Sequence, residues 1–383
     1  MTDELKQIPV VANWIAYNQS EPWLASSEFP LFTDAQITGE ITLGPYSFLN
    51  TGSTGNMKTI KPAIILRYAM HKEWDHPNFQ KTDSSLYHGG TAPEEMAAFA
   101  SMVMGIRLRA GRSVRRFESR GDLLGRPEEI GDQTEPMFLE PRAYAVPAVA
   151  KGFHGLEQLE ILSSLPDLPS TKVNALVRAA RLYQDGLWLC ETEPEFTWLL
   201  FVSAIESIAN EWKRDSGTNI ERLEVSKPEL YATLAAHEDK TLLSLVANTF
   251  AESMGATKKF IDFCMTFMPA PPPERPAEWA QFPWDEADLR RAVRAIYNYR
   301  SLALHDGRPI PPPMCEAPHV DPAWAAPAER MISLGSYQLG STWLKEDIPF
   351  NLHCFEYLTR ATILCWWRSQ IPKTTAPELK DTE

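Results

Sequence analysis

"EADLRRAVRAIYNYRSLALHDG", residues 286–307, decides how the second half of this chain is read. Successive residues of a helix turn by about 100°. Leu289, Val293, Ile296, Arg300 and Leu304 then share one stripe. Four of these five are apolar, so the spacing predicts that the stripe faces a core with Arg300 in its middle. A buried or half-buried arginine needs an anionic partner. The opposite stripe, Arg291, Arg294, Asn298, Ser301 and His305, is polar throughout. The helix starts at Asp285 and closes after Asp306 at Gly307, a natural left-handed terminator. His305 therefore sits in the last turn, where the negative end of the helix dipole favours its charged form. An ideal helix holds Arg300 and His305 about 140° apart. They meet only if the last turn distorts, if the arginine curls round, or if a second subunit brings its own copy. The same residues have a plain structural account: Arg300 in an ion pair, and His305 as a dipole partner at a helix end.

The pattern is helical from about residue 171 onward. "TKVNALVRAARLYQDGLWL" (171–189) is one helix. Thr192 and Glu195 make a capping box for the next, which runs through "FTWLLFVSAIESIANEW". That segment is apolar nearly all round, which predicts a central, buried helix. Glu206 interrupts it. A buried carboxylate requires a partner and Arg300 is the obvious one, unless Glu206 reaches solvent at a helix edge. Ser226 and Glu229 read as a further capping box opening "ELYATLAA", and "TLLSLVANTFAES" and "TKKFIDFCMTFM" read as two shorter helices. The proline density of "PAPPPERPAEWAQFP" (269–283) predicts an exposed loop, and 308–327 is a second proline-rich insertion. "FNLHCFEYLTRATILCWWRSQ" is a last amphipathic helix, and a disordered tail is expected over 374–383.

The first half is mixed. "KPAIILRYAM" (61–70) reads as a strand and "ITLGPYSFL" before it as a weaker one. "NTGSTGNMKT" between them is a glycine-containing connection whose spacing is wrong for a phosphate-binding Walker loop. "TAPEEMAAFASMVMGIRLRAG" is a helix with a Thr91–Glu94 capping box and Pro93 in its first turn. "SVRRF" and "PMFLEPRAYAV" read as strands, and "SSLPDLPS" (163–170) marks the boundary. The expected class is α+β: a mixed N-terminal domain over 1–165, then a helical domain over 166–373.

The formal net charge is −13, so any contact with nucleic acid must rest on local basic patches. One patch holds Arg107, Arg109, Arg112, Arg115, Arg116 and Arg120; the other holds Arg290, Arg291, Arg294 and Arg300. The plain reading of both is a solvated face balancing acidic neighbours. Five scattered cysteines without a C-x-x-C pair argue for reduced thiols in a cytosol. No secretory signal and no apolar run of transmembrane length is visible, so a cytoplasmic location away from the membrane is expected. His71 and His76 lack a third metal ligand at a telling spacing, His88 reads as a turn residue, and His353 with Cys354 reads as packing. No metal and no cofactor is expected.

Arg300-Ser-Leu-Ala-Leu-His305 is an R-x4-H motif and resembles the signature of the HEPN superfamily. The context "YNYRSLALHDG" looks particularly like the Apea-like HEPN branch, and "FTWLLFVSAIESIAN" resembles that branch's central helix. The resemblance covers roughly residues 171 to 368. "EEMAAFASMVMGIRLRAG" with "SVRRF" looks, more loosely, like the region that often precedes this domain. Ser301 stands where the superfamily often has Asn, Asp or His. The resemblance implies an all-α domain that dimerises so that two motifs meet in one cleft. It implies a metal-independent endoribonuclease, often acting in prokaryotic defence against phage or as a toxin; some members are instead non-catalytic dimerisation or binding modules. Under that reading Arg300 and His305 are catalytic and Glu206, Ser301 and Asn298 support them. Arg291, Arg294 and Tyr297 contact RNA, with Tyr297 or Tyr299 stacking a base unless both belong to the core packing. Residues 1–165 would sense a phage-derived or cellular trigger.

Overall fold

In the computed structural model, which describes residues 7–52, 60–73, 82–84, 86–128, 152–212, 218–237 and 240–371, a sheet region is followed by a helical one. This is the α+β class that the sequence predicts. The strands are β1 (Ala25–Thr33), β2 (Gln36–Thr38), β3 (Glu40–Leu43), β4 (Tyr46–Asn50), β5 (Lys61–Met70), β6 (Arg109–Ala110), β7 (Arg115–Phe117), β8 (Arg126–Pro127), β9 (Phe153–Gly155), β10 (Gly335–Gln338) and β11 (Ser341–Leu344). The helices are α1 (Pro9–Asn18), α2 (Ala92–Met104), α3 (Ser170–Leu189), α4 (Pro194–Trp212), α5 (Asn219–Ser226), α6 (Pro228–Ala236), α7 (Lys240–Thr266), α8 (Glu286–His305), α9 (Pro312–Cys315) and α10 (Leu352–Gln370). "PMFLEPRAYAV", His76, most of "NTGSTGNMKT" and the 374–383 tail lie outside the described residues.

The main sheet has the order β3-β4-β5-β1-β7-β8, with β6 also on β1, and its pairs are antiparallel. "ITLGPYSFL" is thus two strands of a hairpin rather than one. α1 and α2 pack beside the sheet. Glu95 of α2 accepts a 2.8 Å hydrogen bond from the Val10 N–H and lies 2.6 Å from His88 Nε2. Tyr46 donates its hydroxyl to the Val10 carbonyl at 2.7 Å, so α1 is tied to both β4 and α2.

α4 lies at the centre of the helical region, against α3, α7, α8 and α10. Trp198 stacks on Phe355 of α10 at 4.9 Å between centroids, and Phe201 stacks on Tyr183 of α3 at 5.5 Å. Three local expectations change. "TLLSLVANTFAES" and "TKKFIDFCMTFM" form one helix, α7, which continues through Gly255; an internal glycine costs about 1 kcal/mol but does not by itself end a helix. The Thr192 hydroxyl bonds the Leu189 carbonyl, and α6 starts from Lys227 without a side-chain cap. A capping box does form one helix earlier, between Thr218 and Glu221.

A twelve-residue 3-10 run, Leu156–Asp167, joins the two regions and buries Leu156, Leu159, Leu162 and Leu165. The hydrophobic core is continuous across it. Phe99 of α2 meets Trp367 of α10 at 6.1 Å, and Gln184 of α3 donates to the Leu108 carbonyl at 2.5 Å.

Candidate functional site

α8 is built as its sequence requires. Asp285 caps it by accepting the Asp288 N–H at 2.9 Å, and Glu286 and Asp288 lie in the positive first turn. Leu289, Val293 and Ile296 are buried, as the apolar stripe predicts. The stripe fades toward its end: Arg300 is half-buried and Leu304 is 52% exposed. Arg291, Arg294, Asn298 and His305 are exposed on the polar side, with Ser301 half-buried among them. Arg290 pairs with Glu286 at 2.9 Å, and Arg291 with Asp288.

Arg300 has the anionic partner that its position demands. Its Nη2 lies 2.7 Å from Glu206 Oε2, with the two side chains 19% and 14% exposed. Tyr297, one turn earlier, donates its hydroxyl to the other oxygen, Glu206 Oε1, at 2.8 Å. The guanidinium also lies over the Tyr297 ring, 5.5 Å from its centroid. Arg300 Nε is buried without a hydrogen-bond partner among the described residues. Glu206 is thus shared by an arginine and a phenol, and burial beside this carboxylate pushes the phenol far above its ordinary range. Tyr297 is itself 6% exposed and packs on Phe260 at 5.0 Å, so its ring belongs to the core and offers no face to a base.

At the far end, the N–H groups of Asp306 and Arg308 both donate to the Leu302 carbonyl, at 3.0 and 3.2 Å. Gly307 between them takes φ +64°. This turn leaves His305 exposed at the helix terminus. No hydrogen bond or ion pair among the described residues joins Arg300 to His305. The helix keeps the two on different faces, as its geometry predicts.

No family model, curated protein or solved structure matches the chain.

One feature beside His305 escaped the sequence reading. Leu302 and Arg308, which bracket His305 in the chain, line a groove of about 560 Å³ with Tyr299, Gln338 and Trp343. Trp343 and Gln338 come from the β10–β11 hairpin, whose short strands carry no alternating apolar pattern in the sequence. The Leu339-Gly340 turn was its only signal. Tyr299 donates its hydroxyl to the Asp347 carbonyl at 3.0 Å, so of the two tyrosines it is the one beside open space.

The first basic patch is largely neutralised. Arg107 is fully buried against Asp34 and Glu191 at 2.8 and 3.0 Å. Arg109 pairs with Asp185, Arg115 with Glu28 and Arg116 with Glu128. Among the described residues no group of three or more His, Cys, Asp and Glu side chains could hold a metal ion. His71 Nδ1 is 2.9 Å from the Glu21 carbonyl. His353 Nε2 lies 3.5 Å from Cys354 Sγ, but burial lowers the imidazole to about 4 and raises the thiol well above its ordinary range. That is the reverse of what an activated thiolate needs.

Proposed function

We propose that this chain is a metal-independent endoribonuclease of the HEPN type, active as a homodimer, with Arg300 and His305 as its reacting groups. RNA supplies its own nucleophile. His305 of one subunit takes the proton of the 2′-hydroxyl, the 2′-oxygen bonds to phosphorus, and the P–O5′ bond breaks. The partner's His305 gives its proton to the departing 5′-oxygen. Arg300 holds the phosphate oxygens and offsets the charge that builds on them, a role suited to its planar fork. The products are a 2′,3′-cyclic phosphate and a 5′-hydroxyl. Arg294, Arg291 and Asn298 line the approach, and Ser301 stands between the two reacting residues. The reading extends to a toxin-like role in prokaryotic defence against phage, in the cytoplasm, with residues 1–165 receiving the trigger.

The observation that carries this reading is the fixed position of Arg300. A carboxylate on the central helix α4 orients the guanidinium at 2.7 Å, while the histidine of the same motif stays open to solvent. The same ion pair favours a second reading, a non-catalytic HEPN module. There the Glu206 carboxylate and the Tyr297 ring hold Arg300 as a structural ion pair, and the helix serves only to pack.

Purified chain, incubated with RNA in EDTA and sized by light scattering, separates the two. The first reading expects a dimer, cleavage that persists in EDTA, and cyclic-phosphate ends. It also expects His305→Asn to stay folded and dimeric but lose roughly 100-fold or more in cleavage. A dimer in which wild type and His305→Asn leave RNA equally intact supports the module. A strict monomer removes the composite site.

A further inference from the structure

A cavity of about 930 Å³ opens in the sheet region where β1 and β5 meet the start of α2. Its volume lies in the range of small-molecule sites. Phe29, Phe32, Tyr68 and Met70 form an apolar wall, Arg112 and Ser113 form a polar rim, and the first turn of α2 closes one end.

The strand geometry makes this space. Leu31 is paired with Ala110, and Glu28 with Arg115. β1 thus advances three residues while its partner advances five. The ladder bonds on either side run from the Gly111 N–H to the Pro30 carbonyl and from the Val114 N–H to the Glu28 carbonyl, both at 2.8 Å. Arg112 and Ser113 are the residues thrown out of register, into the cavity rim. Bulges of this kind re-aim side chains and are over-represented beside functional sites. Gly111 is required at the start of the bulge, because a Cβ there would lie 2.7 Å from the Phe32 ring.

The charges of the lining select a ligand. Glu94 faces the cavity, but its carboxylate is held in the α2 cap by the Thr91 N–H and hydroxyl at 2.7 and 2.9 Å. Arg112 is exposed and has no ion pair among the described residues, in contrast to Arg107, Arg109, Arg115 and Arg116 nearby. We propose that this cavity binds a small amphipathic anion. Its apolar, aromatic-sized body lies against Phe29, Phe32, Tyr68 and Met70, and its single carboxylate, sulfonate or phosphate meets Arg112. A polar recess of about 280 Å³ shares Glu94 and Ala110 with the cavity and continues to Arg109, Arg181 and Asp185. A bound ligand therefore lies next to the Arg109–Asp185 pair that joins sheet to α3. The site does not depend on the ribonuclease reading.

Two probes test it on the full chain: 8-anilinonaphthalene-1-sulfonate, and N-phenyl-1-naphthylamine, the same body without the anion. Titrations are read by fluorescence at pH 7 and roughly 0.15 M salt, where weak surface attraction is screened. Expected are one saturable sulfonate site per wild-type chain and a preference for the sulfonate over the neutral probe. Arg112→Gln should weaken the sulfonate about tenfold and leave the neutral probe unchanged. Ala25→Trp, which fills the cavity, should abolish both. No saturable binding in wild type, or equal sulfonate affinity in wild type and a folded Arg112→Gln, overturns the proposal. The probe comparison in Arg112→Gln decides the matter even if Ala25→Trp fails to fold.

Discussion

Arg300 is held from two sides, by the Glu206 carboxylate and the Tyr297 ring. Its partner Glu206 also satisfies the Tyr297 hydroxyl, so one carboxylate serves two donors on α8. Glu206→Ala would leave a half-buried guanidinium and a buried phenol without an acceptor. The expected loss is about 2 kcal/mol of unfolding free energy, in the range for stranding hydrogen-bonded charged groups. Urea melts of wild type and variant at neutral pH measure it, and Glu206→Gln, which keeps an acceptor, should lose less. Unchanged melts would mean that the pair adds nothing to stability. An arginine on an apolar stripe and a glutamate inside an apolar helix each announce a missing partner, so this pair was legible in the sequence. The Tyr297 bond was not. A tyrosine beside a basic stripe reads as a core residue before it reads as a stacking one, and packing against Phe260 decides for the core.

Among the elements, helices were legible where a 3.6-residue period met a cap or a proline, as in α2, α3, α8 and α10. β1, the strand on which the sheet turns, was not. Glu28 and Pro30 break its alternation, and Glu28 is tolerated near the core only because Arg67 and Arg115 reach it at 2.6 and 3.3 Å. Those partners lie far away in sequence. The end of α8 was legible from Gly307, and it supports a sharp prediction. Gly307 has φ +64°, and a Cβ there would meet open space. Gly307→Ala should therefore cost about 1 kcal/mol of backbone strain with no clash. The affected turn carries His305, so amide exchange there should quicken while α4 stays protected. Equal protection at Leu304 and His305 in both proteins would count against it. α10 adds a pH response. Burial holds His353 near 4, below its ordinary value. As pH falls from about 6.5 to 4, the unfolded chain takes up a proton there that the native chain refuses, so stability drops through that window. Glu95 and Glu356, whose carboxyls burial raises, act in the opposite direction. The expected signature is thus a difference. Wild type should lose on the order of 2 kcal/mol more than His353→Gln between pH 7 and pH 4.5. Parallel losses in urea melts would show that the imidazole is already charged in the fold.

At the scale of the whole molecule, one buried cation joins the sheet region to the bundle. Arg107 follows α2, Asp34 follows β1, and Glu191 follows α3; the three side chains are 0%, 3% and 1% exposed. Arg107 also donates to the Leu187 carbonyl at 2.9 Å. In the sequence this residue heads a run of arginines, and such a run reads as a solvated face. The signal for burial lay in other segments, in two acids 73 and 84 positions away in the chain, so local composition had no means to show it. Replacing Arg107 with methionine keeps the unbranched apolar stem but removes the guanidinium, and leaves two carboxylates buried without their cation. Removing one partner of such a group costs about 3–5 kcal/mol. Because the hydrophobic core runs unbroken from the sheet to α10, that loss should not stay local. Far-ultraviolet dichroism, dominated by the helices, and near-ultraviolet signals from Trp14 beside the sheet and Trp198 in α4 should shift together, in one transition, to lower denaturant. A variant whose sheet signals melt early while its helices keep the wild-type midpoint would show two independently stable halves, with Arg107 stabilising only the first.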